Sequence, residues 1–257
     1  MIVDTHAHYD HSKFKIDRES VLNSLQDSDI GLVLNVGISV ASSEASMRLA
    51  ERKDFIFFAS GTHPHEASGM TEAGLNKLKA LCAHPKCMAV GEIGLDFYHN
   101  FSPKDIQRDW FKRQLELALE VGLPVVIHAR ECDSECFETI KKSGVRKGVI
   151  HCYSGSAELA KEYVKLGFHI GVGGVLTYSN SRRLVETCTV LPLDRLVLET
   201  DCPYLSPEPF RKDRNDSRLI PFVVEKLARI RKISPEEVRE ETTKNAKALF
   251  KFEIKTN

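Results

Sequence analysis

The segment DIQRDWFKRQLELALEVGLPVVIHAR, residues 105–130, contains an amphipathic helix followed directly by a short apolar strand. Apolar side chains recur at helical spacing from Trp110 to Val121, and Gly122 and Pro124 are typical of a helix end. The run VVIH that follows lacks the alternation of a half-buried strand, which indicates burial on both faces and hence a parallel sheet. The segment therefore predicts one helix–strand unit of an α/β protein.

The same unit recurs along the chain. Short apolar, β-branched runs such as LVLNV, IFFAS and LVLET are separated by amphipathic helical stretches. Eight strand–helix units in about 250 residues match the count and length of a (β/α)8 barrel. A doubly wound open sheet is the alternative, but no GxGxxG motif follows the first strand. We predict a single-domain (β/α)8 TIM barrel of the α/β class over residues 1–257.

The bounds of the predicted elements follow from these runs and from local end signals. Ser234 and Pro235 are typical of the start of the last helix, and residues 250–257 are predicted to form a frayed or docked end. The predicted strands cover 2–6, 31–37, 55–61, 87–93, 124–128, 148–151, 168–173 and 195–200. The predicted helices cover 19–27, 43–52, 72–83, 105–121, 134–142, 157–166, 181–188, 217–231 and 235–250.

The overall charge excludes one class of function. The chain carries 36 basic and 36 acidic side chains, so its formal net charge is zero. This balance argues against a generally basic nucleic-acid coat, and any attraction to a polyanion must therefore be local. With 42% hydrophobic and 28% charged residues, the composition is typical of a globular protein.

The N-terminal segment and the cysteines predict a cytoplasmic protein with no membrane contact. MIVDTHAHYD lacks the basic and apolar regions of a secretory signal, and no apolar stretch approaches the roughly 20 residues of a membrane helix. The seven cysteines include no CxxC pair, which favours a reducing compartment. Cys132 and Cys136 lie one helical turn apart, and free thiols are favoured over a shared metal.

Histidines and carboxylates are concentrated where the predicted strands end. Six of the ten histidines lie at such positions, and catalytic groups gather at the carboxyl ends of the strands in a parallel barrel. His6 and His8 have i, i+2 spacing, which directs both side chains to one face and provides half of a metal site. The other candidate ligands, at the ends of four further strands, are Glu92, His128, His151 and Asp201.

The charge of these six side chains suits a phosphate substrate. Four neutral imidazoles and two carboxylates contribute about −2, so two divalent cations leave about +2. A carboxylate among histidines can bridge two ions about 3.5–4 Å apart, a geometry that activates water for hydrolysis. Glu92, at a central strand end, is the predicted bridge. We expect two divalent ions, which are Mg, Mn or Zn.

Six blocks occur in order over nearly the full chain: Asp4-x-His6-x-His8, GTHPH at 61–65, GEIGLDFY at 91–98, IHAR at 127–130, HCYSG at 151–155 and LETDCPYL at 198–205. Together they resemble the TatD-related metal-dependent deoxyribonucleases of the amidohydrolase-like superfamily. The HxH motif alone indicates only the superfamily, whereas GEIGLDFY combined with LETDCPYL selects TatD.

The resemblance implies a divalent-metal-dependent phosphodiester hydrolase, a deoxyribonuclease of the 3′–5′ exonuclease type with a metal-activated water as nucleophile. Its implied substrates are DNA ends or short oligonucleotides, with no obligate protein partner. His6, His8 and Asp201 would hold a first ion, and His128 and His151 a second. Glu92 would bridge them. Many superfamily relatives use a carbamylated lysine as bridge, and no lysine occupies these strand ends.

The chain departs from the family pattern at three positions. Tyr153 stands where phenylalanine is commoner, and Cys202 stands where alanine is common. The Arg-Asn-x-Pro element ends in Ser217 instead of proline. We interpret all three changes as affecting loops on the substrate side, so they bear on substrate preference and not on hydrolysis.

Roles can be predicted for the side chains around the six ligands. Asp201 lies where superfamily enzymes have a general base, and a pure metal ligand is the alternative. Glu199 is either an acceptor for a ligand histidine or a structural carboxylate. His63 is predicted to contact a non-bridging phosphate oxygen, whereas His65 is assigned to loop packing. Arg130 is a predicted phosphate anchor, with a salt bridge to a neighbouring carboxylate as the alternative.

Basic and aromatic residues near the last strands are further candidates for substrate contact. Arg214 is a predicted substrate-binding residue, and a solvated charge run is the alternative. Its basic neighbours are Arg211, Lys212 and Arg218, with Arg182 and Arg183 after the seventh strand. Tyr153, Tyr178 and Tyr204 are candidates for stacking a terminal base, and packing is equally consistent with the sequence. No site role is assigned to His11, His84, His99 and His169.

Two other functions stay open on the sequence. The same site suits hydrolysis of a small ester, lactone or cyclic amide. A barrel that binds a partner or nucleic acid without turnover is a third interpretation, against which the candidate ligands at all the relevant strand ends argue.

Overall fold

The computed structural model describes residues 1–252, in which eight parallel strands form one sheet in the order β1 to β8. A bridge between Ala7 and Cys202 brings the first strand beside the end of the last. This nearly closed barrel confirms the predicted (β/α)8 fold, and residues 253–257 of the predicted tail lie outside the described residues. The strands are β1 (Ile2–Ala7), β2 (Ile30–Val36), β3 (Ile56–Ser60), β4 (Cys87–Asp96), β5 (Val125–Arg130), β6 (Gly148–Ile150), β7 (Phe168–Val172) and β8 (Leu196–Leu198).

Helices connect the strands, and their bounds differ from the predicted ones by a few residues at the ends. Ser234 accepts a hydrogen bond from the Glu237 amide as the predicted N-cap. Gly122 ends the fourth helix in the left-handed conformation. Within residues 1–252, none of the helices has the length and apolar composition needed to cross a bilayer. The helices are α1 (Arg18–Gln26), α2 (Val40–Arg52), α3 (Glu72–Cys82), α4 (Lys104–Val121), α5 (Asp133–Ser143), α6 (Ala157–Lys165), α7 (Arg182–Val190), α8 (Ile220–Arg231) and α9 (Pro235–Phe250).

Strand residues of alternate parity bury their side chains in two different apolar clusters. Val33 packs with helix residues in the larger cluster. Leu32 and Leu34 belong to a smaller cluster of strand residues that also contains Phe250 and Phe252 from the end of the chain. Burial on both faces explains the uninterrupted apolar runs of the sequence. All seven cysteines are free, as predicted.

Strand β4 carries glycines where it approaches β5 most closely. A Cβ on Gly91 would lie 2.6 Å from the Cβ of Val126. A Cβ on Gly94, whose φ is +147°, would lie 1.9 Å from the carbonyl oxygen of His128. Only glycine combines this backbone conformation with so close an approach. The glycines of the GEIGLD block therefore hold Glu92 and His128 on adjacent strands.

We expect the Gly94→Ala variant to unfold more easily than the wild type. The new methyl group would overlap the carbonyl of His128, and strain with overpacking should cost at least about 3 kcal/mol of unfolding free energy. Gly69→Ala is the matched control, because nothing lies within 4 Å of a Cβ at that position, and its effect should stay within about 0.5 kcal/mol. Urea unfolding of both variants makes the comparison. Equal stabilities would contradict the close approach.

Candidate metal centre

Two groups of imidazole rings contact the Glu92 carboxylate, and the first group is close to its Oε2 atom. Oε2 of Glu92 is 3.3 Å from Nε2 of His6 and 3.7 Å from Nε2 of His8. Oδ1 of Asp201 is 3.4 Å from His8 Nε2 and 3.7 Å from His6 Nε2. The two imidazole nitrogens are themselves 3.0 Å apart. Two carboxylate oxygens and two ring nitrogens thus converge on one small space.

The second group of imidazole rings is close to Oε1, the other oxygen of the same carboxylate. Oε1 of Glu92 is 2.8 Å from Nε2 of His151 and 2.9 Å from Nδ1 of His128. Nε2 of His63 is 3.4 Å from this oxygen. The structure therefore brings together all six side chains predicted as metal ligands, and His63 with them. Glu92 is the member shared by both groups.

Main-chain contacts between strand ends hold the first group in place. The Glu92 amide donates to the Gly37 carbonyl at 2.7 Å, so β4 is fixed against the end of β2. The Asp201 amide donates to the His6 carbonyl at 2.9 Å. Asp201 has a φ of +57°, a conformation that a non-glycine residue keeps only where its surroundings impose it. This turn directs the carboxylate of Asp201 toward His6 and His8.

Hydrogen bonds on the far side of two rings determine which nitrogen faces the cluster. Nδ1 of His8 is 2.8 Å from the Val36 carbonyl, which can only accept. Nε2 of His128 is 3.2 Å from Oδ2 of Asp96, whose pKa is lowered despite burial, chiefly by its hydrogen bond with His128. In their neutral forms both rings therefore direct an unprotonated nitrogen at Glu92. This arrangement is what metal-ligating histidines require.

The protonation equilibria of the cluster also fit a cation. Burial raises the pKa of Glu92, but the surrounding histidines outweigh it and hold this pKa well below its ordinary value. Burial lowers the pKa of His6 to about 4, with a contribution from the charge of His151. The ionised carboxylate of Glu92 and the neutral imidazole of His6 are donors that suit a divalent transition metal ion.

His63 differs from His8 and His128 in having its ring hydrogen on the nitrogen that faces Glu92. The His65 amide donates to Nδ1 of His63 at 3.1 Å, so a neutral His63 carries its hydrogen on Nε2. Burial lowers the pKa of His63 to about 4, which keeps the ring neutral. A neutral His63 therefore directs an N–H toward Oε1 of Glu92, which suits a donor to an anion. With Glu92 and His128 it also forms a group of side chains close enough to share a metal ion.

The pKa values of His8 and His128 predict how metal affinity depends on pH. In the metal-free protein burial lowers both values, but nearby carboxylates raise each to about 9: Asp201 and Glu92 for His8, and Asp96 and Glu92 for His128. A metal must displace these protons, so its affinity should rise with pH up to about 9, by up to tenfold per pH unit for each proton displaced. Chelator competition with Mn²⁺ or Zn²⁺ between pH 6.5 and 9 measures the slope. A flat profile would contradict this prediction.

Glu199 does not contact a ligand histidine at hydrogen-bonding distance. Its Oε1 accepts from the Cys152 amide and lies 3.9 Å from Nδ1 of His151, beyond a hydrogen bond. Burial raises the pKa of Glu199 to about 8. This geometry favours the structural alternative, in which a mostly protonated Glu199 anchors the backbone that follows β6.

One departure from the family pattern, at Ser217, has a structural role in the barrel. Ser217 is fully buried, and its hydroxyl donates to Oδ2 of Asp4 at 2.6 Å and contacts the Tyr9 hydroxyl at 2.7 Å. The effect of this change on substrate preference stays a prediction. The missing proline is replaced by a hydroxyl that supports the buried Asp4 beneath the HxH motif.

A third carboxylate, Asp96, was not predicted as part of the centre. Besides His128, its Oδ2 contacts Nε2 of His65 at 2.7 Å and Nδ1 of His99 at 3.2 Å. His65 and His99 therefore pack beside the centre, although the sequence assigned one to loop packing and the other to no role. Two features of the sequence could have indicated these contacts. They are the i, i+2 spacing of His63 and His65, and the run LDFYH, in which His99 follows Asp96 by three residues.

The predicted substrate-binding arginines have different surroundings. The guanidinium of Arg130 lies over the Tyr98 ring at 4.3 Å from its centroid. Arg214 makes two hydrogen bonds to Asp17, at 2.8 and 2.7 Å, and lies over the ring of Phe14. Arg214 is thus held by an acidic partner instead of contacting the cluster, and its contact with substrate stays a prediction. Arg218 is similarly paired, with Asp216.

Two of the three tyrosines considered for base stacking are buried. The Tyr153 hydroxyl donates to the Ser156 carbonyl at 2.6 Å, and the Tyr178 hydroxyl donates to the Ser206 carbonyl at 2.9 Å. Both rings belong to the packed interior and their hydroxyls have internal acceptors, so the packing alternative holds for them. Tyr204 is 43% exposed and contacts His11 at 3.1 Å.

A parallel barrel with histidines and carboxylates gathered at its carboxyl strand ends defines a barrel metal-dependent hydrolase. The family model described as TatD related DNase matches residues 3–251. The chain belongs to this family.

Named relatives and solved structures agree with this assignment. The uncharacterized metal-dependent hydrolase YabD of Bacillus subtilis is 39% identical over 98% of this chain and 100% of its own length. A protein of Rahnella sp. named 3′-5′ ssDNA/RNA exonuclease TatD is 37% identical over 93% of this chain and 94% of its own. The crystal structure of YjjV, a TatD homolog from Escherichia coli, has 29% identity and a TM-score of 0.93, and covers 98% of both chains.

Proposed function

We propose that this metal-dependent hydrolase is a deoxyribonuclease that removes nucleotides from the 3′ end of DNA at a dinuclear centre. The observation that carries the proposal is the position of Glu92, whose two oxygens contact two separate imidazole groups. Residues His6, His8 and Asp201 would hold one ion and residues His128 and His151 the other, with Glu92 shared. The proposed resident ions are divalent.

Divalent ions held there would supply Lewis acidity toward the phosphate and a water nucleophile at neutral pH. The protein residues then orient the substrate and move the proton. Burial raises the pKa of Asp201, but the hydrogen bond and charge of His8 and the neighbouring histidines lower it overall. Asp201 is therefore ionised at neutral pH and accepts the proton of the attacking water.

Two residues at the edge of the centre orient the phosphate. His63 donates its Nε2–H to a non-bridging oxygen, because its Nδ1 is occupied by the His65 amide. Arg130 follows His128 by two residues on β5 and supplies a permanent positive charge for the same phosphate or the next one. Local charge thus replaces the overall basic charge that this chain lacks.

The class of substrate is supported by a relative and by the charge of the centre. The Rahnella sp. relative carries the name 3′-5′ ssDNA/RNA exonuclease. Two divalent ions with six ligands of total charge about −2 leave a positive surplus for a phosphodiester. We propose DNA ends and short oligonucleotides as substrates in the cytoplasm, without an obligate protein partner.

End-labelled DNA tests this function directly. Metal-loaded protein should shorten a 5′-labelled single strand progressively from its 3′ end, and a 3′-terminal phosphorothioate should protect the strand. A His128→Ala variant is the control for contaminating nucleases. No shortening beyond that control in Mg²⁺, Mn²⁺ or Zn²⁺ would overturn the proposal. Turnover of small esters or lactones with inert DNA would favour the alternative hydrolase function.

A further inference from the structure

The loop between β4 and α4 exposes two aromatic rings beside the metal centre. Tyr98 is 56% exposed and Phe101 is 69% exposed. Exposed large aromatic side chains are uncommon enough that a pair beside a conspicuous polar site suggests a binding surface. Neither ring was assigned a role from the sequence. We call the surface formed by Tyr98, His99 and Phe101 the aromatic platform.

The aromatic platform is continuous with the centre through ring contacts. Phe101 stacks on His99, with centroids 5.4 Å apart and an interplanar angle of 27°. It also meets His65 edge to face at 4.8 Å. The His65 ring lies 6.2 Å from the ring of His128, which contacts Glu92. Only His65 therefore separates the Phe101 ring from a predicted metal ligand.

The loop that carries the aromatic platform is anchored by hydrogen bonds. The Ser102 hydroxyl donates to the His65 carbonyl at 2.9 Å and accepts from the Ser68 amide at 3.0 Å. The side chain of Gln107 is buried and bonds the main chain of Asp96 and Ser102. Because the backbone is held in this way, the exposed rings are preorganised, and little entropy is lost when a ligand stacks on them.

A cation accompanies the exposed rings. The Arg130 guanidinium lies 4.3 Å from the centroid of Tyr98. Among residues 1–252 it forms no ion pair, and the carboxylates of Glu92 and Asp96 contact His128 instead. An unpaired arginine on an aromatic ring offers one partner for a phosphate and one for a base. This combination matches a nucleotide better than it matches an apolar protein surface.

We propose that the aromatic platform binds unpaired bases next to the scissile phosphodiester and thereby selects single-stranded nucleic acid. The inference rests on the proposed nuclease function and assigns its strand specificity to Tyr98 and Phe101. A base inside a duplex has both faces covered by its neighbours, whereas an unpaired base can stack on a protein ring. Duplex DNA is therefore a poor ligand until its end frays.

Kinetics of Phe101→Ala and Tyr98→Ala on two matched substrates test the aromatic platform. On a single-stranded oligonucleotide each variant should raise KM about tenfold, the loss typical of one stacked base, with kcat little changed. On an oligonucleotide of the same length with abasic sites near its 3′ end, Phe101→Ala should match the wild type, because no base is there to stack. Tyr98→Ala should keep a smaller loss there, because it also removes the ring under the Arg130 guanidinium. Phe222→Ala, at a 38% exposed ring on α8, is the control and should match the wild type on both substrates.

The outcomes separate the aromatic platform from the nuclease function. If the wild type degrades the oligonucleotide and Phe101→Ala has the same KM, the aromatic platform is overturned and the nuclease function stands. An equal loss on the abasic substrate, or the same loss in Phe222→Ala, would also overturn it, because the effect would then be structural. If the wild type cleaves no nucleic acid, the nuclease function fails. The binding of labelled single strands, measured by fluorescence anisotropy, then tests the aromatic platform separately. Binding that is as tight in Phe101→Ala as in the wild type overturns it.

Discussion

Replacing Glu92 with glutamine should reduce phosphodiester hydrolysis by a factor of about 1,000 or more, which corresponds to a loss of several kcal/mol of transition-state stabilisation. Glu92 is 3% exposed and its two oxygens contact different imidazole groups. A glutamine keeps the size of the side chain, but it removes the negative charge and replaces one oxygen with an N–H2 group. One of the two imidazole groups would then face a donor instead of an acceptor.

The Glu92→Gln measurement has a matched control on the surface. Glu158→Gln changes an exposed glutamate at the start of α6 and should leave both the rate and the bound metal unchanged. Glu92→Gln should lose metal together with activity, while circular dichroism and thermal unfolding stay close to those of the wild type. Retention of more than a tenth of the wild-type rate by Glu92→Gln would argue against a shared carboxylate.

The Asp201→Asn variant should lose activity by a factor of about 100 to 10,000, the range typical of a missing general base. Asp201 lies on the side of the His6 and His8 group, and the other Glu92 oxygen keeps its contacts with His128 and His151. An amide cannot accept the proton of the attacking water. The rate should therefore stay low even when the metal concentration is raised to saturation.

Metal titration of Asp201→Asn distinguishes a base from a pure ligand. If Asp201 accepts the proton, excess Mn²⁺ or Zn²⁺ fills the centre and leaves kcat low, and the acidic limb of the pH–rate profile disappears. If Asp201 only holds an ion, excess metal restores kcat. Full rescue by metal would contradict the role assigned to Asp201 and would leave that of Glu92 intact.

The barrel could be predicted because its signals are local. Apolar runs such as VVIH and LVLET indicate strands covered on both faces, and Gly122 and Ser234 mark helix ends by their own chemistry. The strand ends then follow from topology, since all eight lie at one edge of a parallel barrel. This reasoning was sufficient to predict that the six candidate ligands lie together.

Contacts between distant segments could not be read in the same way. Nothing local to Arg214 shows that its guanidinium pairs with Asp17, and nothing local to Ser217 shows that its hydroxyl bonds Asp4, more than 200 residues earlier in the chain. The hydroxyl of Tyr178 likewise finds its acceptor, the Ser206 carbonyl, 28 residues further along the chain. Side chains whose partners lie far along the sequence were therefore the ones whose surroundings the sequence left open.

The exposure of the Tyr98 and Phe101 rings could not be predicted from the sequence either. Tyr98 belongs to the GEIGLDFY block, where apolar neighbours suggest burial, and Phe101 lies just beyond it. Their exposure depends on the anchoring of the loop by Ser102 and Gln107, which the sequence does not display. Zero net charge likewise gave no indication that Arg130 lies unpaired beside the centre.

Anomalous scattering from a crystal of the Mn²⁺- or Zn²⁺-loaded protein tests the central claim most directly. We predict two peaks, one coordinated by Oε2 of Glu92 with His6 and His8, and the other by Oε1 of Glu92 with His128 and His151. A single peak in the fully loaded protein, or two peaks of which neither is coordinated by Glu92, would contradict it.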